Sequence, residues 1–526
     1  MKIQIKSDQT PALVVTGGLL FTLLFWNEGL GLNLLIYSLF IWLGMRFNSM
    51  LTAQKQPVFY AITHLVCAAM VVVNHSELSL FAYYLSLFVW VGRTHYPLLR
   101  TAGTALFTGL LRFLLLPFTL FQRLKRLRIG GFAFRPLIRP LKYLVLPAFA
   151  VFVFTLIYAA ANAQFAALVS VLIDSVGQII DFLSEIISVR VFHILAGMIV
   201  TAALLLTYEP GWAEHAEDGF SELLQRRGTV TRQSLWRQAV NQLSIGLTSR
   251  NLALKTELIN AKICLVLLNL LLLVLNVLDL KNVWFSGTGP ADPSAELHDG
   301  TNALIISIVL AMAIIIFFFR GNLNFYRNNG VLKMLAYAWI AQNAFLILSV
   351  TLRDLNYISL YGLTYKRIGV GFFLLLCCAG LATVYIKVAA RRTFFYLYRL
   401  NGFIWLLLLA AASVVNWDVL IVRYNVSHAG RVSLDVDHLM GLSDKALPAL
   451  HANRQLLMQH VKTIEEPQHR PNAEHVVQRT PDEAARNFSN RLEEKTEGFY
   501  ARQAGGTWLS WNLPDQQTKT YLNGSK

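Results

Sequence analysis

The sequence predicts an all-α fold: a polytopic transmembrane helix bundle of about eleven spans, with a small helical C-terminal module. Three observations predict it. Hydrophobic residues make up 55% of the chain and charged residues only 14%, where a soluble chain carries roughly a quarter charged. The apolar residues gather in long runs between Pro11 and Trp417, the length a helix needs to cross ~30 Å of hydrocarbon. The runs do not alternate with period two, as barrel strands would. A backbone in lipid must close its own hydrogen bonds, so the runs are expected to be helices.

The candidate spans fall at about 11–26, 30–45, 58–73, 79–92, 143–162, 191–207, 256–279, 302–319, 334–352, 368–389 and 399–417. Lys2 and Lys6 before the first run resemble a signal peptide. No small-residue cleavage site follows, so an uncleaved first span is expected. The formal net charge is +16, yet residues 418–526 hold 13 acidic and 13 basic side chains. The basic excess therefore belongs to the loops between spans. With the N-terminus cytoplasmic, segment 93–142 falls inside with ten Lys/Arg and no acid. Segment 163–190 falls outside with Asp174, Asp181 and Glu185 on one helix face. Loop 208–255 falls inside and is again basic. This is the positive-inside pattern, and it favours topology signalling over nucleic-acid binding. The tail then lies on the extracytoplasmic side.

Four segments follow: N-terminal helices at 1–92, a basic interfacial segment at 93–142, the main bundle at 143–417, and a polar helical tail at 418–526. Within the second, 101–121 is apolar enough to span but contains Arg112 and Pro117. A central Arg in lipid is costly, so the segment is expected to lie in the cytoplasmic interface, the basic residues after it facing anionic lipid head groups.

The polar residues of the second half are the candidate site. Arg320, Asn322 and Asn324 form a turn at the inner end of a span. Gln342 and Asn343 sit near the middle of the next span and are expected to hydrogen-bond to other helices. Arg353, Tyr361, Thr364, Lys366 and Arg367 fall in an outer loop at 353–367, against the insertion bias. Two explanations stand: an ion pair with Asp418 at the same face, or an anion site at the Arg367 helix start. No cofactor or metal site is expected. Cys67, Cys264, Cys377 and Cys378 lie in apolar runs without ligand spacing. Glu214, His215, Glu217 and Asp218 read as a solvated helix start. Walker, GxGxxG and triad motifs are absent.

In the tail, Ser443 is expected to cap a helix, and a helix is expected over about 448–465. Thr480-Pro481-Asp482-Glu483 is a capping box that opens another helix to about Arg502. After Gly505-Gly506, Trp508 and Trp511 are expected to pack onto helices or the membrane interface.

The strings Phe319-Arg320-Gly321-Asn322-Leu323-Asn324, Trp339-Ile340-Ala341-Gln342-Asn343, Tyr361-Gly362-Leu363-Thr364-Tyr365-Lys366-Arg367 and Asn416-Trp417-Asp418 resemble a bacterial family of multi-pass membrane proteins. It is catalogued as a domain of unknown function (the DUF four-one-seven-three and four-one-five-three group), and the likeness is to Bacteroidetes-type members. The resemblance implies an inner-membrane location and no reaction. The function expected is a non-enzymatic membrane sensor or scaffold whose tail binds a protein partner. The alternatives are a transporter or flippase of an anionic or lipid-linked substrate, then an intramembrane transferase.

Overall fold

The computed structural model describes residues 10–47, 55–124, 128–129, 132–133, 141–186, 188–206, 216–225, 253–285, 293–432, 434–463 and 480–524. The described chain is almost wholly helical. Among the described residues, four helices are long and apolar enough to cross a membrane: those within Leu254–Phe285, Gly330–Tyr361, Tyr365–Ala389 and Phe394–Ser413. Seven shorter apolar helices accompany them among the described residues. The chain divides into two compact units.

The first unit comprises Met1–Arg100, Thr104–Ala216 and Arg502–Leu513. Its helices are α1 (Thr10–Phe25), α2 (Leu32–Phe47), α3 (Lys55–Asn74), α4 (Glu77–His95), α5 (Ala102–Leu124), α6 (Leu141–Ala161), α7 (Ala163–Ile186) and α8 (Val189–Leu205). Two-residue strands β1 (Arg128–Ile129) and β2 (Phe132–Ala133) pair antiparallel. Small residues set the close helix crossings. Gly17 and Gly18 of α1 face Thr201 and Met198 of α8, and Gly197 of α8 faces Phe21. Gly92 of α4 lies on the Ala105 backbone of α5, and Gly109 lies on that of Phe88. Between α2, α3 and α4, fully buried His64 contacts Ser86 Oγ at 3.0 Å and Ser38 Oγ at 3.1 Å. The Ser38 hydroxyl reaches the Tyr83 hydroxyl at 3.0 Å.

Arg112 has partners within the protein. Its side chain is buried within this unit, with Nε donating to the Ala203 carbonyl at 3.1 Å and Nη2 to that of Leu206. The guanidinium caps the C-terminal carbonyls of α8, groups no helix can satisfy internally. The charge that argued against burying this segment thus has a partner inside the protein. Asp174 lies exposed on α7, as do its apolar neighbours Leu172 and Ile173. Lys2, Lys6, Glu214 and His215 lie outside the described residues.

The second unit comprises Thr101–Gly103, Glu217–Ala501 and Pro514–Lys526. It contains α9 (Ala253–Asp279), extended by a π turn to Phe285, then α10 (Pro293–Phe318), α11 (Gly330–Tyr361), α12 (Tyr365–Ala389) and α13 (Phe394–Ser413). Their shared core includes Leu265, Ile308, Ile315, Phe319, Leu346, Val350, Leu381 and Val388. A second core joins α14 (Trp417–Ser427), α15 (Val436–Met440), α16 (Leu447–Ala452), α17 (Arg454–Thr463), α18 (Pro481–Gln503) and α19 (Leu513–Gly524) through Ile421, Leu439, Leu447, Leu457, Phe488, Leu492 and Phe499.

Several boundaries differ from those expected. The segment 353–367, expected as an outer loop, is mostly helix: α11 continues to Tyr361, and only Gly362–Thr364 are irregular. Nothing between Arg353 and Tyr361 breaks a helix, and Gly362 ends it at φ +81°, a conformation glycine adopts freely. The helix expected at 448–465 is two helices, α16 and α17, broken at Asn453. Ser443 precedes a 3-10 turn (Asp444–Ala446) without capping it by its side chain. The capping box at α18 is formed: the Thr480 amide donates to Glu483 Oε2 at 2.9 Å, and the Glu483 amide to Thr480 Oγ1 at 3.3 Å.

Candidate functional site

Helix α11 spans 32 residues, which at 1.5 Å per residue is about 48 Å. The candidate residues are distributed along that length. They form three separate groups rather than one.

The first lies where α10 ends and α11 begins. Arg320 approaches Glu257 of α9 at 3.8 Å and lies over the Phe317 ring. Asn322 is exposed. Asn324 is fully buried; its Nδ2 donates to the carbonyls of Phe319 and Gly321, both at 2.8 Å. Lys387 of α12 is also buried and donates to the Phe319 carbonyl at 2.7 Å. Lys387 lies near the end of α12. It meets the carbonyl end of α10, where a cation is favoured.

The second group lies mid-helix, at the α9–α11 contact. Gln342 Nε2 donates to Asn269 Oδ1 at 2.8 Å, and Asn276 Nδ2 to the Gln342 carbonyl at 3.3 Å. Asn343 is buried and donates to Trp339 of its own helix at 2.8 Å. Near the end of this contact Arg353 pairs with Asp279, whose side chain is buried. Trp284 Nε1 donates to Ser349 Oγ at 3.2 Å. Asn269, Asn276 and Asp279 were missed. Asp279 had a legible signal, as a lone acid closing a long apolar run.

The third group surrounds the α11–α12 turn and α14. Asn425 clamps the turn: its Oδ1 accepts from the Leu363 amide at 2.6 Å and its Nδ2 donates to the Leu363 carbonyl at 2.9 Å. Arg367 turns back on α11, donating to the carbonyls of Tyr361 and Gly362 and lying over the Tyr357 ring at 4.3 Å. Thr364 precedes α12 without a side-chain capping bond. Lys366 is exposed. Asp418 does not pair with Arg353, Lys366 or Arg367, as the ion-pair expectation required. It pairs with Lys445 at 3.1 Å, and accepts from the Ser443 hydroxyl at 2.5 Å and the Tyr365 hydroxyl at 2.8 Å. The basic residues of the turn have helix carbonyls and a nearer acid available, so Asp418 is left to the tail module.

Burial of Asp418 pushes its carboxyl upward. The Ser443 hydroxyl, the Lys445 ammonium and the Tyr365 hydroxyl outweigh that and hold it below its ordinary value of 3.8. A general base works best with a pKa near the operating pH. This carboxylate is depressed and bound by three donors, an arrangement suited to holding α12, α14 and the tail together. Among the described residues no group of three or more His, Cys, Asp or Glu side chains could hold a metal ion.

No curated protein and no solved structure matches the chain. A family model does, over residues 6–453. That range takes in α1 to α16 and all three groups of polar residues, and on it the chain belongs to the family described as Domain of unknown function (DUF4153).

Proposed function

We propose that the protein is a multi-pass membrane scaffold of about eleven spans in a bacterial inner membrane, whose tail module binds a protein partner on the extracytoplasmic side. One observation carries the reading. The candidate polar residues fall into three places, and most of them join helices or cap helix ends. A catalytic or transport site would bring them together. The helical module of α14–α19 has its own apolar core and offers a polar surface for a partner.

Complementation of a deletion strain tests this. Deletion of residues 434–526 is expected to abolish function. Arg320→Gln and Asn322→Ala are expected to leave it intact. Loss of function from these two, with the tail dispensable, would sink the scaffold reading.

A second reading keeps a transport route along the α9–α11 contact. Asn276 Oδ1, Gln342 Oε1 and Asp279 Oδ2 are buried there without a partner among the described residues. Such oxygens suit a cation or a hydrogen-bond donor better than an anion. Uptake of a labelled cation into proteoliposomes, abolished by Asn276→Leu, would favour it over the scaffold.

A further inference from the structure

The C-terminal tail re-enters the first unit for twelve residues, Arg502–Leu513. Within them, the 3-10 turn Trp508–Ser510 docks on the loop between α1 and α2. The Leu32 amide donates to the Trp511 carbonyl at 3.0 Å, and the Thr507 amide to Glu28 Oε2 at 3.0 Å. Gly31 permits the contact: a Cβ there would sit 2.5 Å from the Ser510 carbonyl oxygen.

The receiving loop is held in shape by one side chain. Asn33 is fully buried and uses both amide atoms twice. Its Nδ2 donates to the carbonyls of Leu24 at 3.0 Å and Gly29 at 2.7 Å. Its Oδ1 accepts from the amides of Gly31 at 2.8 Å and Leu34 at 2.9 Å. That is the full capacity of the group.

The turn itself is two-faced. Leu509 is buried against the unit, while Trp508 is 67% and Trp511 40% exposed. Close by, Trp26 meets the His193 ring at 5.3 Å, and the Arg190 guanidinium lies over it at 5.6 Å.

We propose that residues 507–511 form an interfacial anchor: a docked clip that inserts the Trp508 and Trp511 indoles into the lipid headgroup layer. The position of the clip supports this, given the membrane reading above. Both α1 and α2 are apolar helices, so the short loop joining them lies at a bilayer boundary. A segment bonded to that loop lies at the same depth. An indole is amphipathic and partitions to this layer. Exposed tryptophans there face head groups rather than bulk water. The anchor also places residue 507 on the same side of the membrane as residue 28, whatever the path of the helices between.

The test uses the full chain in phosphatidylcholine–phosphatidylglycerol vesicles. The emission of the two indoles is isolated by subtracting that of a Trp508→Phe/Trp511→Phe double variant. This difference emission is expected to be blue-shifted, to lose most of its intensity in lipid brominated high on the acyl chain, and to resist aqueous iodide. Gly31→Leu, which blocks docking, is expected to turn it red and iodide-sensitive. Red-shifted emission in the wild type, quenched by iodide and indifferent to bromine, would overturn the anchor. Flotation of the double variant after alkaline washing reports the membrane reading separately. Failure to float overturns that reading and the anchor with it. Flotation with water-exposed indoles overturns the anchor alone.

Discussion

Asp418 and Lys445 are each about 6% exposed at the side chain, so their pairing is not a surface contact. Removing one partner of a buried pair typically costs ~3–5 kcal/mol, because the other charge is left without compensation. Asp418→Asn is expected to destabilise the detergent-solubilised protein by about that amount in thermal unfolding. Adding Lys445→Met is expected to recover much of it, and strictly additive losses would refute the pairing. Acid should have a related effect. The folded-state pKa of Asp418 lies below 3.8, so the unfolded state binds its proton first. Its contribution is complete above that value and disappears as the pH falls through the depressed pKa. The stability gap between wild type and Asp418→Asn should therefore close as the pH falls below the ordinary carboxylate value and through the depressed pKa. A gap that persists there would place the stabilisation elsewhere. Lys445 carried no sequence signal: it follows Ser443-Asp444 in an ordinary turn. Only the fold brings it to a carboxylate 27 positions away.

Helix ends engage several basic side chains, among them Arg112 and Arg367, whose charge looked misplaced in the sequence. Arg112 caps α8, Lys387 the end of α10, Arg367 that of α11, and Lys495 the carbonyls of Met440 and Leu442 after α15. Each cation meets the negative end of a helix and its unpaired carbonyls. Replacing Arg112 by Met is expected to cost about 1.5–3 kcal/mol, the range for hydrogen bonds to a charged group. The loss should appear locally, as faster hydrogen exchange in the last turn of α8. Unchanged exchange there would remove the capping role. What the sequence made legible was local: apolar length, the Thr480–Glu483 box and the Gly505-Gly506 stop all depend on neighbours within a few positions. Contacts such as Arg353–Asp279, 74 positions apart, depend on helix packing that no local pattern encodes. Residues 353–367 resemble an outer loop in the sequence because basic and aromatic residues run together there. In the fold most of that run is the last turns of α11.

For the whole molecule, membrane sidedness is the property most open to direct measurement. In a cysteine-free background, engineered cysteines at Asn27 and Gly505 should label together with an impermeant reagent applied from outside. Labelling at both only after permeabilisation would reverse the orientation but keep the clip. Labelling of one without the other would separate the tail from the α1–α2 loop. The clip also has a schedule. Glu28 and Thr507 are 479 positions apart, and ribosomes add roughly 5–20 residues each second. On that estimate the first hairpin emerges and then waits roughly half a minute to a minute and a half for its partner to be synthesised. Until then Glu28 and Gly31 stay bare, and an incomplete chain differs from a finished one at its very first loop. A chain stopped after Ala501 should therefore be cut at that loop by an added protease, while the full-length protein resists. A quality-control protease reading the same loop would detect premature termination hundreds of residues downstream.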